Sequence, residues 1–159
     1  MKYFLYTKGS CDNCSAYREG AFAYLITDCK KNVLKTFSRN TLATTNNAMS
    51  IKAIVEGCKA IMEENAEVVV YSDNQYSLNV LSGLWNAKAN KELIDQHKKS
   101  QKRLHIKYVW VKKNWDNNFY KIVLSGLKAS IDEIMQTHNI DKCYSHKMYK
   151  KYYHKKTKY

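Results

Sequence analysis

At 159 residues the chain is long enough for one domain with a sizeable core and too short for two ordinary ones. No apolar run approaches the ~20 residues of a membrane span, and the first residues lack the charged start, apolar middle and small-residue exit of a signal peptide. A net charge of +13 and five cysteines, an odd number, point away from a disulfide scaffold and towards a reducing, intracellular setting with a polyanionic partner and no membrane.

The elements follow in chain order. Tyr3 to Tyr6 build a short strand over 2–7, which Gly9 and Ser10 are expected to end, leaving Lys8 at its exit. "GAFAYLITD" (20–28) and "NVLKTFSRN" (32–40) alternate apolar and β-branched residues as two more strands. "NNAMSIKAIVEGCKAIMEEN" (46–65) reads as a helix. Met49, Ile51, Ile54, Val55, Cys58, Ile61 and Met62 recur at helical spacing, and Asn46 is a fair N-cap. "AEVVVYSD" (66–73) is a buried strand with Asp73 at its carboxyl end, and a short helix follows over 74–84. "KELIDQHKKSQKR" (91–103) is a helix and "LHIKYVWV" (104–111) a fifth strand. A last helix runs from about Asn118 to Thr137, with Ile122, Val123, Leu127, Ile131 and Ile134 towards the core. Three strands in meander followed by alternating strands and helices give an α/β fold, a mixed five-stranded sheet with helices on its faces. The domain spans 1–137 and a basic tail spans 138–159.

The charge is uneven. Residues 1–141 hold 20 basic and 14 acidic groups, whereas the last 18 residues hold seven lysines and no acid. Only three basic residues are arginine (Arg18, Arg39, Arg103), and proline is absent. An A/T-rich genome accounts for abundant lysine but not for its clustering. Lys147, Lys150, Lys151, Tyr152, Lys155 and Lys156 interleave phosphate contacts with a stacking face, which suits RNA or single-stranded nucleic acid. A disordered solubilising end, or an arm packed into a larger protein assembly, fits the same composition.

"YTKGSC", "TTNNAMS", "YSDNQY" and "IKYVWVKKN" occur in the order and spacing of the ribonuclease H family, and over roughly residues 2 to 130 the chain resembles that family. The resemblance implies a ribonuclease H-like fold, cleavage of the RNA strand of an RNA–DNA hybrid, and two magnesium ions held by four carboxylates. It also shows what has changed. Lys8 stands at the first acid and Ser50 at the second. Asp73 matches the third and is retained. The fourth falls at Lys121 or Ile122, and Asn114 replaces the family's mobile histidine. The family's basic handle is absent from "GLWNAKAN". An ammonium between two cations adds repulsion worth several kcal/mol at low effective dielectric. The expectation is therefore a degenerate member without a bound cofactor, in which Lys8 pairs with Asp73. Magnesium would be required if activity survives. Asp12 and Asp116 lie close in sequence to the lost positions and are the acids available to rebuild a site.

The resemblance further implies that Thr45, Asn46, Asn47 and Gln75 contact the hybrid. Amides and hydroxyls at a helix start bind phosphates and 2′-hydroxyls, although Asn46 as a simple cap is an alternative. Outside the resemblance, Cys11-x-x-Cys14 and Cys143-x-x-His146 are compatible with a tetrahedral zinc site. Four unrelated surface residues are the plainer reading. Three functions stay open: a nucleic-acid-binding protein without cleavage, an active hybrid ribonuclease with a degenerate site, and a protein–protein scaffold with incidental charge.

Overall fold

A computed structural model describes residues 1–140; the Lys- and Tyr-rich segment beyond lies outside the described residues. The strands are β1 (Lys2–Cys11), β2 (Gly20–Asp28), β3 (Val33–Thr41), β4 (Glu67–Ser72) and β5 (His105–Trp110). The helices are α1 (Asn46–Ala60), α2 (Gln75–Leu81), α3 (Lys91–Arg103) and α4 (Asn118–Thr137). The five strands form one sheet in the order β3-β2-β1-β4-β5. β1, β2 and β3 are antiparallel neighbours, while β4 runs parallel to β1 and β5 parallel to β4.

Two cores follow from the period-two alternation of the central strands. Leu5, Phe22, Tyr24 and Ile26 face the layer of α1, α2 and α3. Tyr6, Ala21, Ala23 and Leu25 face α4, where Val123 and Leu127 meet them. β2 is therefore buried on both sides, and its two alanines leave the room in which α4 sits.

Several boundaries differ from the sequence expectation. β1 continues through Gly9 and Ser10, which pair with Phe22 and Ala21, so Lys8 lies inside a strand and not at its exit. Gly9 serves a different purpose from ending the strand. A Cβ there would lie 2.1 Å from the Ser50 nitrogen and 2.2 Å from the Met49 carbonyl carbon. The missing side chain lets the α1 backbone rest directly on β1.

The N-cap of α1 is Thr45, whose hydroxyl accepts from the Ala48 amide at 3.1 Å; Asn46 is the first helical residue. α1 also ends at Ala60, five residues early. Arg103 at the end of α3 donates to the Cys58 and Ile61 carbonyls (3.4 and 3.1 Å), and Asn65, with φ +60°, turns the chain into β4. Met62 is consequently 82% exposed and adds nothing to the core. α2 stops at Leu81, and Ile122 of α4 is exposed, whereas Val123, Leu127 and Ile134 are buried as expected. No described helix is long and apolar enough to cross a membrane.

Candidate nucleic-acid site

β1 and β4 run in parallel register with Tyr6 opposite Tyr71, and these two rings stack at 4.9 Å on the α4 side. Two residues further along each chain, the same alternation puts Lys8 and Asp73 on that side next to one another. The Lys8 ammonium forms an ion pair with the Asp73 carboxylate. Side-chain exposure is 4% for Asp73 and 17% for Lys8, so the acid is buried and its partner reaches it from the rim. A buried carboxylate is tolerable only when paired or hydrogen-bonded, and here it is both.

The second partner comes from the first turn of α4. Asn117 caps that helix by accepting from the Phe119 and Tyr120 amides at 3.0 and 3.1 Å. This aims the fully buried Tyr120 at the strand ends, where its hydroxyl donates to Asp73 Oδ2 at 2.9 Å. Burial, reinforced by the Asp73 charge, holds the Tyr120 phenol above its ordinary range, so it remains a donor. Trp110 at the end of β5 donates through Nε1 to the Asp73 carbonyl at 3.2 Å.

Neither residue expected at the fourth acid touches Asp73. Lys121 is exposed and pairs with Asp116 at 2.8 Å, and Ile122 lines an open groove against β2 and β3. The contact comes from Tyr120, one position earlier, which the sequence reasoning missed. Its only signal was a polar aromatic in the first turn of the helix facing the strand ends. Ser50 is buried where α1 rests on β1, and brings a hydroxyl without charge. Asp12 is engaged in its own loop, accepting from the Cys14 and Ser15 amides at 3.0 and 3.2 Å. Asn114 is exposed.

This set of groups does not fit a pair of magnesium ions. Two cations about 3.5–4 Å apart need several negative charges between them, and magnesium prefers carboxylate and phosphate oxygen. Around Asp73 stand one carboxylate, one ammonium and one phenol. Among the described residues, no three His, Cys, Asp or Glu side chains come together as a metal site.

The second part of the site is the corner where α1 and α2 begin. The Asn46 amide donates to Asn13 Oδ1 at 3.3 Å, tying the β1–β2 loop to the start of α1. Asn47 Oδ1 accepts from Asn74 Nδ2 at 3.0 Å, and Asn74 Oδ1 accepts from the Ser77 amide at 2.8 Å, capping α2. Thr45, Asn47 and Gln75 are exposed and Asn46 is half-buried. Asn74 follows Asp73 directly, so this corner adjoins the Lys8–Asp73 pair. Thr45, Asn46, Asn47 and Gln75 are the residues the sequence singled out here; Asn13 and Asn74, which bond to them or cap beside them, it did not.

The two pairs of the candidate zinc site are not joined by anything described. Cys11 donates weakly to the Arg18 and Thr44 carbonyls (3.5 and 3.4 Å), and burial pushes its thiol up to about 11. Burial also raises the Cys14 thiol. Cys143 and His146 lie outside the described residues, as do Lys147, Lys150, Lys151, Tyr152, Lys155 and Lys156.

A five-stranded mixed sheet of this order, with α1 against one face and α4 against the other, is the architecture of ribonuclease H-like proteins. The N-terminal RNase H domain of a Mycobacterium tuberculosis protein superposes with a TM-score of 0.72 at 16% identity, over 86% of this chain and 98% of that one. LC11-RNase H1 solved in complex with an RNA/DNA hybrid superposes with a TM-score of 0.63 at 18% identity, over 84% and 99%. In sequence, the chain is 32% identical over 137 residues to a ribonuclease H of Caldicellulosiruptor saccharolyticus, covering 86% of this chain and 77% of that protein. It is 29% identical over 125 residues to one from Campylobacter curvus. The RNase H family model matches residues 1–149, further than the four motifs reach. The chain belongs to the RNase H family.

Proposed function

We propose that this family member binds RNA–DNA hybrid or structured RNA without cutting it by two-metal chemistry, alone or within a nucleoprotein assembly. The observation that carries the reading is the Lys8–Asp73 ion pair completed by Tyr120. The family's chemistry depends on carboxylates that hold cations against the scissile phosphate. Here an ammonium lies against the one acid retained, and a phenol fills the side from which α4 approaches. The hybrid in the LC11 complex and the intact Thr45–Asn46–Asn47 start of α1 support nucleic acid as the partner. The +13 charge and the lysine-rich tail would supply the non-specific part of the affinity. Lysine makes less directional phosphate contacts than arginine, so shape rather than base sequence is what such a surface reads.

One observation favours a second reading, an active hybrid ribonuclease: the relatives matched are themselves named ribonuclease H. Purified protein incubated with a labelled RNA–DNA hybrid, first with magnesium and then with manganese, separates the two. The expected result is a retarded, salt-sensitive complex with the RNA strand intact. Cleavage above background that disappears in Asp73→Asn decides for the enzyme.

A further inference from the structure

Within that binding surface, the orientation of one amide is set by another. Two hydrogen bonds run in a single direction from α2 to α1. The Ser77 amide donates to Asn74 Oδ1 at 2.8 Å. Because its oxygen is engaged by the helix, Asn74 turns its nitrogen outward and donates to Asn47 Oδ1 at 3.0 Å. A side-chain amide has one acceptor end and one donor end. With its oxygen taken by Asn74, exposed Asn47 is left to present its NH₂ group to whatever lies on the surface.

We propose that Asn74 is a positioning residue that makes Asn47 a hydrogen-bond donor, and that this polarity selects a ribose 2′-hydroxyl at the rim of the minor groove. The inference rests on the binding reading above and assigns its specificity. The 2′-hydroxyl accepts as well as donates, and in RNA-containing helices it lines a wide, shallow groove. In duplex DNA the minor-groove acceptors lie at the floor of a groove about 6 Å wide and 7.5 Å deep, beyond a short side chain at a helix start. A donor fixed at this height therefore meets an acceptor in hybrid or RNA and none in DNA. An unfixed amide would rotate to suit either ligand and would discriminate less.

The chemistry of position 74 can be inverted without losing the cap. In Asn74→Asp the carboxylate still accepts from the Ser77 amide, but it has no donor for Asn47. It would accept from the Asn47 nitrogen instead and turn the Asn47 oxygen outward. In Asn74→Ser the cap is kept and the link to Asn47 is cut. The experiment measures dissociation constants of the full chain for a mixed-sequence RNA–DNA hybrid and for duplex DNA of the same sequence, by fluorescence anisotropy in EDTA. Thermal melts confirm that each variant is folded.

The hybrid-to-DNA preference should fall about fivefold in Asn74→Asp and two- to threefold in Asn74→Ser, the scale of one net hydrogen bond. Asn47→Ala should lower it by a similar factor, and adding Asn74→Asp to Asn47→Ala should lower it no further. A purely structural role for Asn74 would weaken both ligands together, or would act additively with Asn47→Ala. If Asn47→Ala erodes the preference and neither folded Asn74 variant does, the positioning role is overturned while the binding reading stands. If the wild-type chain binds hybrid without preferring it to DNA, the inference fails and the binding reading stands; if it binds neither ligand, both fail.

Discussion

The strand-end centre and the helix-start corner lie next to each other and stand differently against the family's motifs: the first lacks most of the expected acids and the second keeps its residues. At the strand ends, Lys8 and Tyr120 meet a single retained acid, and the Lys8 and Asp73 charges neutralise one another. At the corner, Thr45, Asn46, Asn47 and Gln75 keep the residues of the motif, and three of the four are exposed. A side chain kept for stability is normally spent inside the protein, as Asp73 now is. At the corner, the Asn47 and Gln75 side chains are exposed. On the binding reading proposed above, contact with a ligand outlasted the chemistry performed on it.

The largest expected effect tests whether the strand-end centre has become a structural pair. Lys8→Ala removes the cation from an Asp73 carboxylate that is 4% exposed in the intact pair, with Tyr120 as its remaining side-chain donor. Breaking a buried pair costs ~3–5 kcal/mol, and the partial exposure of Lys8 places this one at about 3. Urea unfolding should show that loss, and Lys8→Met combined with Asp73→Asn should recover most of it, because no charge is then stranded. Were Lys8→Ala neutral, Asp73 would have to be satisfied some other way, and the neutralised-centre account would fail.

Acid titration separates both regions from the rest of the domain. His97 on α3 is fully buried, and its Nε2 meets the Tyr108 hydroxyl at 2.6 Å. Gln101 donates to that hydroxyl at 2.9 Å, and the imidazole tautomer sets the direction of the His97–Tyr108 bond. Burial depresses the His97 pKa from 6.5 to about 4. Between those values the unfolded chain binds the extra proton, so stability is complete above about pH 6.5 and falls as pH drops towards 4, by up to about 3 kcal/mol. His97→Gln should flatten that slope whatever it does to stability at neutral pH. An unchanged slope in His97→Gln would show that the buried imidazole is not its source.

The sequence made the fold and the ion pair legible for different reasons. Four motifs in order carried the architecture, and the exact limits of α3 and α4 followed from unbroken helical periodicity. Lys8 and Asp73 could be paired because the family resemblance placed both at positions of its carboxylate site. The extent of β1 was hidden because a Gly-Ser pair reads as a turn in isolation. Only the approach of Ser50 and Met49 shows that Gly9 makes room for a helix. Tyr120 was hidden because the register of α4 against the strands depends on the loop before Asn117. Asn74 was hidden because an asparagine before a helix is already explained as a cap, which accounts for its oxygen and says nothing of its nitrogen.

The smallest expected effect bears most directly on the corner. Asn46 could have been kept merely to cap α1, and then its retention would carry no functional meaning. The cap is Thr45, so the two explanations now predict different variants. Thr45→Ala removes the acceptor of the Ala48 amide and should cost about 1 kcal/mol in an unfolding experiment. Asn46→Ala keeps that cap, and also keeps the backbone amide that donates to Asn13, so its stability should stay within about 0.5 kcal/mol of wild type. Hybrid binding should reverse the order of importance, with Asn46→Ala weakening the complex although the fold is untouched. If Asn46→Ala instead destabilises as much as Thr45→Ala and leaves binding intact, the asparagine is there for the helix. The corner would then be structural like the strand ends, and the contrast between the two regions would be lost.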